Sequence, residues 1–389
     1  MKYKLEEVCN QIYSGGTPST SHKEYWNGDL LWLSSGETSQ RFIYTTDKKI
    51  TEEGVKKSST KYAKVDSIVM ASAGQGHTRG QVSYLMNDMY VNQSILVFAP
   101  KKEIINPLYL YYNLDSRYDE LRQISDGTST RGSLSGRIVK SIEIDVPSLE
   151  IQEIIVNILY GLDRKIENNN HINRNLLEQA KVIFEDEFLC FDCIPVGWKY
   201  GNLIDIADYL NGLAMQKFRP LEGEIGIPVL KIKELRQGRC DTNSELCSPN
   251  IKPEYIIHDG DVIFSWSGSL LVDFWCGGEC GLNQHLFKVT SKKYDKWFYY
   301  AWTLYHLDRF IAVAVDKATT MGHIKREELR KAKVLIPSKT DYDRIGAILG
   351  PIYDMVISNR IENRKFVELR DSLLPKLMSG ELDVSKLDI

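Results

Sequence analysis

The sequence predicts an α+β fold built twice: a globular domain of mixed α and β structure followed by a long helix, then a second domain and a second helix. Three observations predict it. Gly132 and Gly322, Leu134 and Ile324, Pro147 and Pro337, and Ile158 and Ile348 share one offset of 190, so about 70 residues at the end of each half align without a gap. Behind each proline, apolar residues recur at three- and four-residue steps, the spacing of a coiled-coil seam. Ahead of each proline the pattern is short and β-rich instead.

Residues 1–148 and 196–338 are the two globular domains. Their β-rich runs, Ser67 to Ala71, Ser94 to Ala99, Val262 to Trp266 and Leu286 to Thr290, are separated by turn residues. Helical stretches intervene at Pro107 to Arg122 and Trp297 to Val315. Residues 149–190 carry the first seam, Ile155, Ile158, Leu162, Ile166, Asn169, Asn173 and Leu176, continued by Ala180 and Ile183. Residues 339–380 carry the second, Ile345, Ile348, Ile352, Val356, Asn359, Asn363 and Phe366, continued by Arg370 and Leu373. Each helix of roughly 38 residues would be ~57 Å long, and two one-sided seams should bury each other. An asparagine pair sits midway along each seam. In one reading these amides fix register, because a slipped pairing would strand them; in the other they face solvent at a bend.

With 389 residues, the chain has room for two or three domains. Hydrophobic residues at 43% and charged residues at 26% exclude a disordered or fibrous chain. Lys plus Arg number 49 against 52 for Asp plus Glu, a net of −3, which excludes a uniformly basic nucleic-acid coat protein. No signal peptide or membrane-length apolar run is present, so a soluble, cytoplasmic protein without membrane contact is expected. Seven cysteines, an odd count, are expected as reduced thiols. Cys190 with Cys193 and Cys276 with Cys280 lack the histidine pair that would complete a zinc site, so no metal is expected.

Catalytic constellations are missing from the sequence. There is no Gly-Lys dipeptide for a phosphate loop and no His-Glu dipeptide for a zinc-protease helix. Asn106-Pro107-Leu108-Tyr109 reads as a helix start, and Gly74 to Gly80 misses dinucleotide spacing and reads as a polar contact loop. The seven histidines form no i, i+4 pair. Positive charge gathers locally instead: Lys317 to Lys333 carries a net of +4 and Lys217 to Arg239 a net of +3, whereas Glu150 to Glu187 carries −4. Basic loops with amides and hydroxyls suit DNA, since cations neutralise phosphates and amides discriminate bases. Asn92-Gln93 and Asn283-Gln284 have the groups to pair bidentately with adenine.

These features resemble a family. Tyr13-Ser14-Gly15-Gly16-Thr17-Pro18-Ser19, Tyr25-Trp26, Leu30-Leu31-Trp32, Tyr62 to Val69, Val91-Asn92-Gln93 and Ile142 to Pro147 leading into Gln152 are similar, in order, to the DNA-specificity subunit of type I restriction-modification systems. Gly212, Ile227-Pro228, Tyr255, Gly260 to Ile263, Asn283-Gln284 and Val334 to Pro337 repeat the order. The end of the second helix, Leu373 to Leu382, resembles that family's C-terminal end, while Gly212-Leu213-Ala214-Met215 departs from the Gly-Thr-Pro run.

The resemblance implies two target-recognition domains separated by two long antiparallel coiled-coil helices in an internal pseudo-two-fold repeat. Each domain would read one half of a bipartite target in double-stranded DNA, and the helices would set the unread spacer. Two methyltransferase subunits would dock on the scaffold, with restriction subunits as optional further partners. S-adenosylmethionine, and the ATP and Mg that restriction subunits use, would belong to those partners; this chain would hold no cofactor and no catalytic residue. DNA contacts are expected from Ser34, Ser35, Arg41, Gln75, His77, Arg79, Asn92, Gln93, Thr128, Thr130 and Arg131 in the first domain. In the second they are expected from Lys217, Arg219, Lys231, Lys233, Ser267, Ser269, Asn283, Gln284, Thr319, Thr320, His323 and Lys325. The competing expectation is a recognition or decoy protein that engages a protein partner through its helices and binds no DNA.

Overall fold

Two sheets organise the first globular part. A computed structural model of the chain describes residues 1–74, 76–126, 132–191, 193–316 and 326–385. Cys9–Ser14, Ile95–Pro100, Ile68–Ala71, Val82–Leu85 and Phe42–Ile43 lie side by side in that order, and Lys48–Ile50, Trp26–Leu33, Met89–Val91 and Lys61–Ala63 form the second sheet. Ile68-Val69-Met70-Ala71 is an unbroken apolar run because both its faces are covered. Ile68 and Met70 enter one core with Leu5, Phe98 and Tyr111, while Val69 enters another with Leu33, Val91 and Val97.

The second globular part repeats the plan. Asp208–Asn211, Leu286–Thr290, Val262–Ser265 and Leu271–Phe274 make one sheet; Leu246–Cys247, Ile227–Leu230, Cys280–Leu282 and Ile256–Ile257 make the other. The repeat extends to register. Leu96 faces Ser14 in the first part and Phe287 faces Asn211 in the second, and each small sheet has its parallel pair, Trp32 with Tyr90 and Val229 with Gly281.

Asn106 starts a helix as its sequence predicts, its Oδ1 accepting from the Leu108 amide at 2.9 Å with Pro107 in the first turn. The two single helical stretches expected from the sequence are each two helices. Pro107–Asp115 gives way to Tyr118–Asp126, and Lys296–Tyr305 to Leu307–Asp316. At the first break the Arg117 amide donates to the Leu114 carbonyl, an i to i−3 bond that tightens and ends the turn.

The long helices are Leu149–Leu189 and Lys339–Ser379, 41 residues each. The chain divides into two compact units, Met1–Arg164 with Glu368–Ile389, and Lys165–Val367, so each helix contributes to both. Within the second unit the helices run antiparallel. Asn169 donates to Asn363 at 2.9 Å and Asn359 donates to Asn173 at 2.9 Å. The offset of 190 makes Asn359 the counterpart of Asn169 and Asn363 that of Asn173, so these two contacts are one contact seen twice across a pseudo-two-fold. The amides therefore face each other, not solvent. Within the first unit Asp163 meets Arg370 at 2.6 Å, and Ile155 and Leu159 share a core with Leu374 and Leu377.

The seam needs correction at one residue. Ile348 is 43% exposed, and the buried line runs through Ile345, Leu349, Tyr353 and Val356. Tyr353 packs on the Phe274 and Tyr300 rings, so this part of the helix covers the second globular core as well as the other helix, and its buried stripe is turned accordingly. Ile158, Leu162, Ile166, Leu176, Ile352, Asn359 and Phe366 are half-buried. Among the described residues no helix is long and apolar enough to cross a membrane.

Candidate nucleic-acid interface

Each copy presents its Asn-Gln pair on the same kind of turn. Asn92 is buried; its Oδ1 accepts from the Ser94 amide at 3.0 Å and its own amide donates to the Leu33 carbonyl. Asn283 is buried likewise, accepting from the His285 amide at 3.2 Å and donating its backbone amide to Leu230. The asparagines thus build the turns, and the glutamines stand further out: Gln93 is exposed and accepts from the Thr17 hydroxyl, while Gln284 is half-buried beside His285. A glycine lies against each turn. A Cβ at Gly15 would collide with the Val91 carbonyl, and one at Gly212 with the Asn283 carbonyl. This close approach explains why the second copy keeps Gly212 although the Gly-Thr-Pro run is gone.

Around these turns the structure uses several expected readers internally. Arg79 is buried and ion-paired with Asp126, and the loop it belongs to is tied down where Tyr118 and Arg122 donate to the carbonyls of His77 and Gly76. His77 itself is exposed. Arg41 lies under an open cleft of about 340 Å³, where Thr38, Ser39, His77 and Gln81 also stand. Its guanidinium lies 3.0 Å from Asp115 and 3.4 Å from Asp163, and 5.5 Å from the centre of the Tyr111 ring. Burial raises the Asp115 carboxyl above its ordinary value, against the pull of Arg41 and Arg370. Ser34 caps a short turn, its hydroxyl donating to Glu37 at 2.9 Å, and the Ser35 carbonyl accepts from Thr38.

In the second domain Lys217 is exposed, whereas Arg219 and Lys231 converge on Glu245 and Lys233 meets Asp241 at 3.0 Å. Ser267 is buried, and Ser269 is exposed with its carbonyl accepting from Ser265 at 2.9 Å. Arg326, within the basic run, donates to the Tyr209 carbonyl. Gln75, Thr128, Thr130, Arg131, Thr319, Thr320, His323 and Lys325 lie outside the described residues. Two cations absent from the expected set, Arg137 and Lys140, line a further cleft; their signal in the sequence is two basic residues three apart behind the Ser135 cap, in a turn without an acid.

The family model of the type I restriction modification DNA specificity domain matches residues 1–178 and again residues 195–365. The chain belongs to this family. It is 27% identical to the type I restriction enzyme MjaIX specificity subunit of Methanocaldococcus jannaschii, over 99% of this chain and 94% of the relative. To the EcoKI specificity subunit of Escherichia coli it is 23% identical, over 98% of this chain and 85% of the relative. Among solved structures, the type I restriction-modification S subunit of M. genitalium matches with a TM-score of 0.62 at 13% identity, covering 97% of this chain and 96% of that one. The last is a likeness of fold. The mixed α and β architecture, met twice, is thus the family's own.

Proposed function

We propose that this chain is the sequence-reading, non-catalytic subunit of a type I restriction-modification complex. Each globular domain reads one half of a split DNA target, and methyltransferase subunits that bring S-adenosylmethionine dock on the paired helices. The observation that carries this reading is the specificity domain matched twice in one chain, each copy presenting a glutamine on the same asparagine-built turn. A glutamine amide offers a donor and an acceptor together, which is what the major-groove edge of adenine requires. Within the expected set, the exposed Gln93, His77 and Lys217, with the half-buried Gln284, are the readers we infer. The paired Arg41, Arg79, Arg219, Lys231 and Lys233 and the turn-building Asn92 and Asn283 hold the loops.

Co-expression with a methyltransferase subunit, followed by genome-wide mapping of methylated adenines, tests this. A split motif that appears only when both are present is the expected result. Absence of DNA affinity in every assembly would replace this reading with the protein-binding decoy, a reading that the many internally neutralised cations favour.

A further inference from the structure

A cleft of about 470 Å³ opens in the first domain between the strand Cys9–Ser14 and the short helix Gly136–Lys140. Leu96, Ser14, Ser141, Arg137, Lys140 and Glu6 line it. The strand is the edge of its sheet, so the cleft stands beside an unpaired strand margin rather than inside the core. Arg137 is exposed and Lys140 half-buried, and neither has a carboxylate partner among the described residues. That sets them apart from Arg41, Arg79, Arg219, Lys231 and Lys233, which are all paired. Two cations three residues apart share a helix face and repel each other. An anion seated between them would reverse that repulsion.

Placement identifies the anion. Ser14 pairs with Leu96 in the ladder, and beyond that pair the two chains continue to Thr17 and Gln93, whose side chains bond to each other. The cleft is therefore about three strand residues, roughly 10 Å, from the exposed glutamine. A cationic cleft beside a base-reading amide on one sheet margin has the arrangement by which phosphate contacts position a reader and base contacts specify.

We infer that Arg137 and Lys140 clamp one backbone phosphate of the DNA half-site read by the first domain, with the Ser14 and Ser141 hydroxyls on the same wall. Glu6 on that wall leaves one net positive charge, which suits a single phosphodiester. This inference rests on the DNA-reading function. The clamp belongs to the first domain alone: the offset of 190 puts Glu327 where Arg137 stands and Arg330 where Lys140 stands, so the corresponding helix offers an acid in place of one of the two cations, and that acid lies 3.4 Å from Lys331.

The test uses the full chain, alone and co-expressed with a methyltransferase subunit, and a random-sequence duplex of about 30 base pairs whose binding is followed by fluorescence anisotropy across a salt series. R137Q/K140Q should weaken binding several-fold for every sequence alike and make the plot of log K against log salt shallower by about 0.9, the contribution of one phosphate. K140R should keep the wild-type slope, and the methylated motif should stay the same. Equal unfolding temperatures for wild type and R137Q/K140Q establish that the loss is not misfolding; if R137Q/K140Q is unstable, the exposed R137Q alone must still flatten the slope. Wild-type binding with unchanged slopes in these variants overturns the clamp and leaves the DNA-reading function standing. A wild type that binds no duplex in either assembly overturns both.

Discussion

At the scale of single residues, the first unit contains a buried charge cluster that the apolar spacing of its helix conceals. Asp163 is 2% exposed; it accepts from Arg370 at 2.6 Å and from the Tyr112 hydroxyl at 2.7 Å, with Arg41 at 3.4 Å. Breaking such a pair by removing one partner costs about 3–5 kcal/mol, because the remaining charge is buried uncompensated. Arg370→Ala should fall near the low end, since Arg41 and Tyr112 stay with Asp163, and chemical denaturation should read the loss. Gly15→Ala should act elsewhere: its Cβ meets the Val91 carbonyl and displaces the turn that holds Gln93. We expect a loss of about 1–3 kcal/mol, and in the methylome, degraded recognition of one half of the motif while the other half is kept. Asp259 gives a pH prediction. Partial burial alone would raise its carboxyl, but the two bonds to Arg364 at 2.7 and 2.8 Å and the Gly278 amide outweigh burial and hold it below its ordinary value. A carboxylate depressed in the folded state adds stability that is full above its unfolded value of about 3.9 and is lost as pH falls through the folded one. Asp259→Asn should be less stable at neutral pH and lose less of its remaining stability below about pH 4 in acid titrations followed by circular dichroism.

At the scale of elements, the asparagine ladder is the clearest device. Asn169 donates to both Asn363 and Glu362, and Asn363 donates to Asn170 at 2.9 Å, so slipping the helices by one turn would break several bonds at once. Asn169→Ile leaves the Asn363 carbonyl without its partner and should cost about 1–3 kcal/mol in thermal unfolding. Replacing Asn169, Asn173, Asn359 and Asn363 together with Ile should raise stability while loosening register, a change that cysteine cross-linking along the two helices would detect. The existence and starts of these helices were legible because proline at 147 and 337 closes the extended run ahead of each and because the spacing persists for about eight turns, long enough for the second helix to carry Pro351 and Pro375 within it. Their inner face was less legible. Ile348 has seam spacing yet points outward, since Tyr353 and Leu349 turn that stretch toward the second globular core, and periodicity alone does not say what a helix packs against.

At the scale of the whole molecule, the proposed function assigns the unread spacer of the DNA target to helix length. Inserting four residues between Asn173 and Leu176 and four between Val356 and Asn359 adds about 6 Å to each helix. With base pairs about 3.4 Å apart, the two half-motifs should stay the same and the spacer between them should lengthen by about two base pairs, which methylome sequencing would read directly.

The order of motifs, the offset of 190 and the two proline-led seams determined from sequence alone that this chain is a duplicated α+β specificity protein, because core periodicity, turn chemistry and repetition are all written locally along the chain. Which polar groups remain free to meet DNA was decided by tertiary structure. Asn92 and Gln93 are neighbours with the same amide, yet one is consumed by the turn and the other is exposed; Arg41 and Arg79 are as basic as Arg137, yet each meets an aspartate brought from more than forty residues away. Ion pairing and hydrogen bonding depend on distances of a few ångströms between segments remote in sequence, and only the folded chain sets those distances.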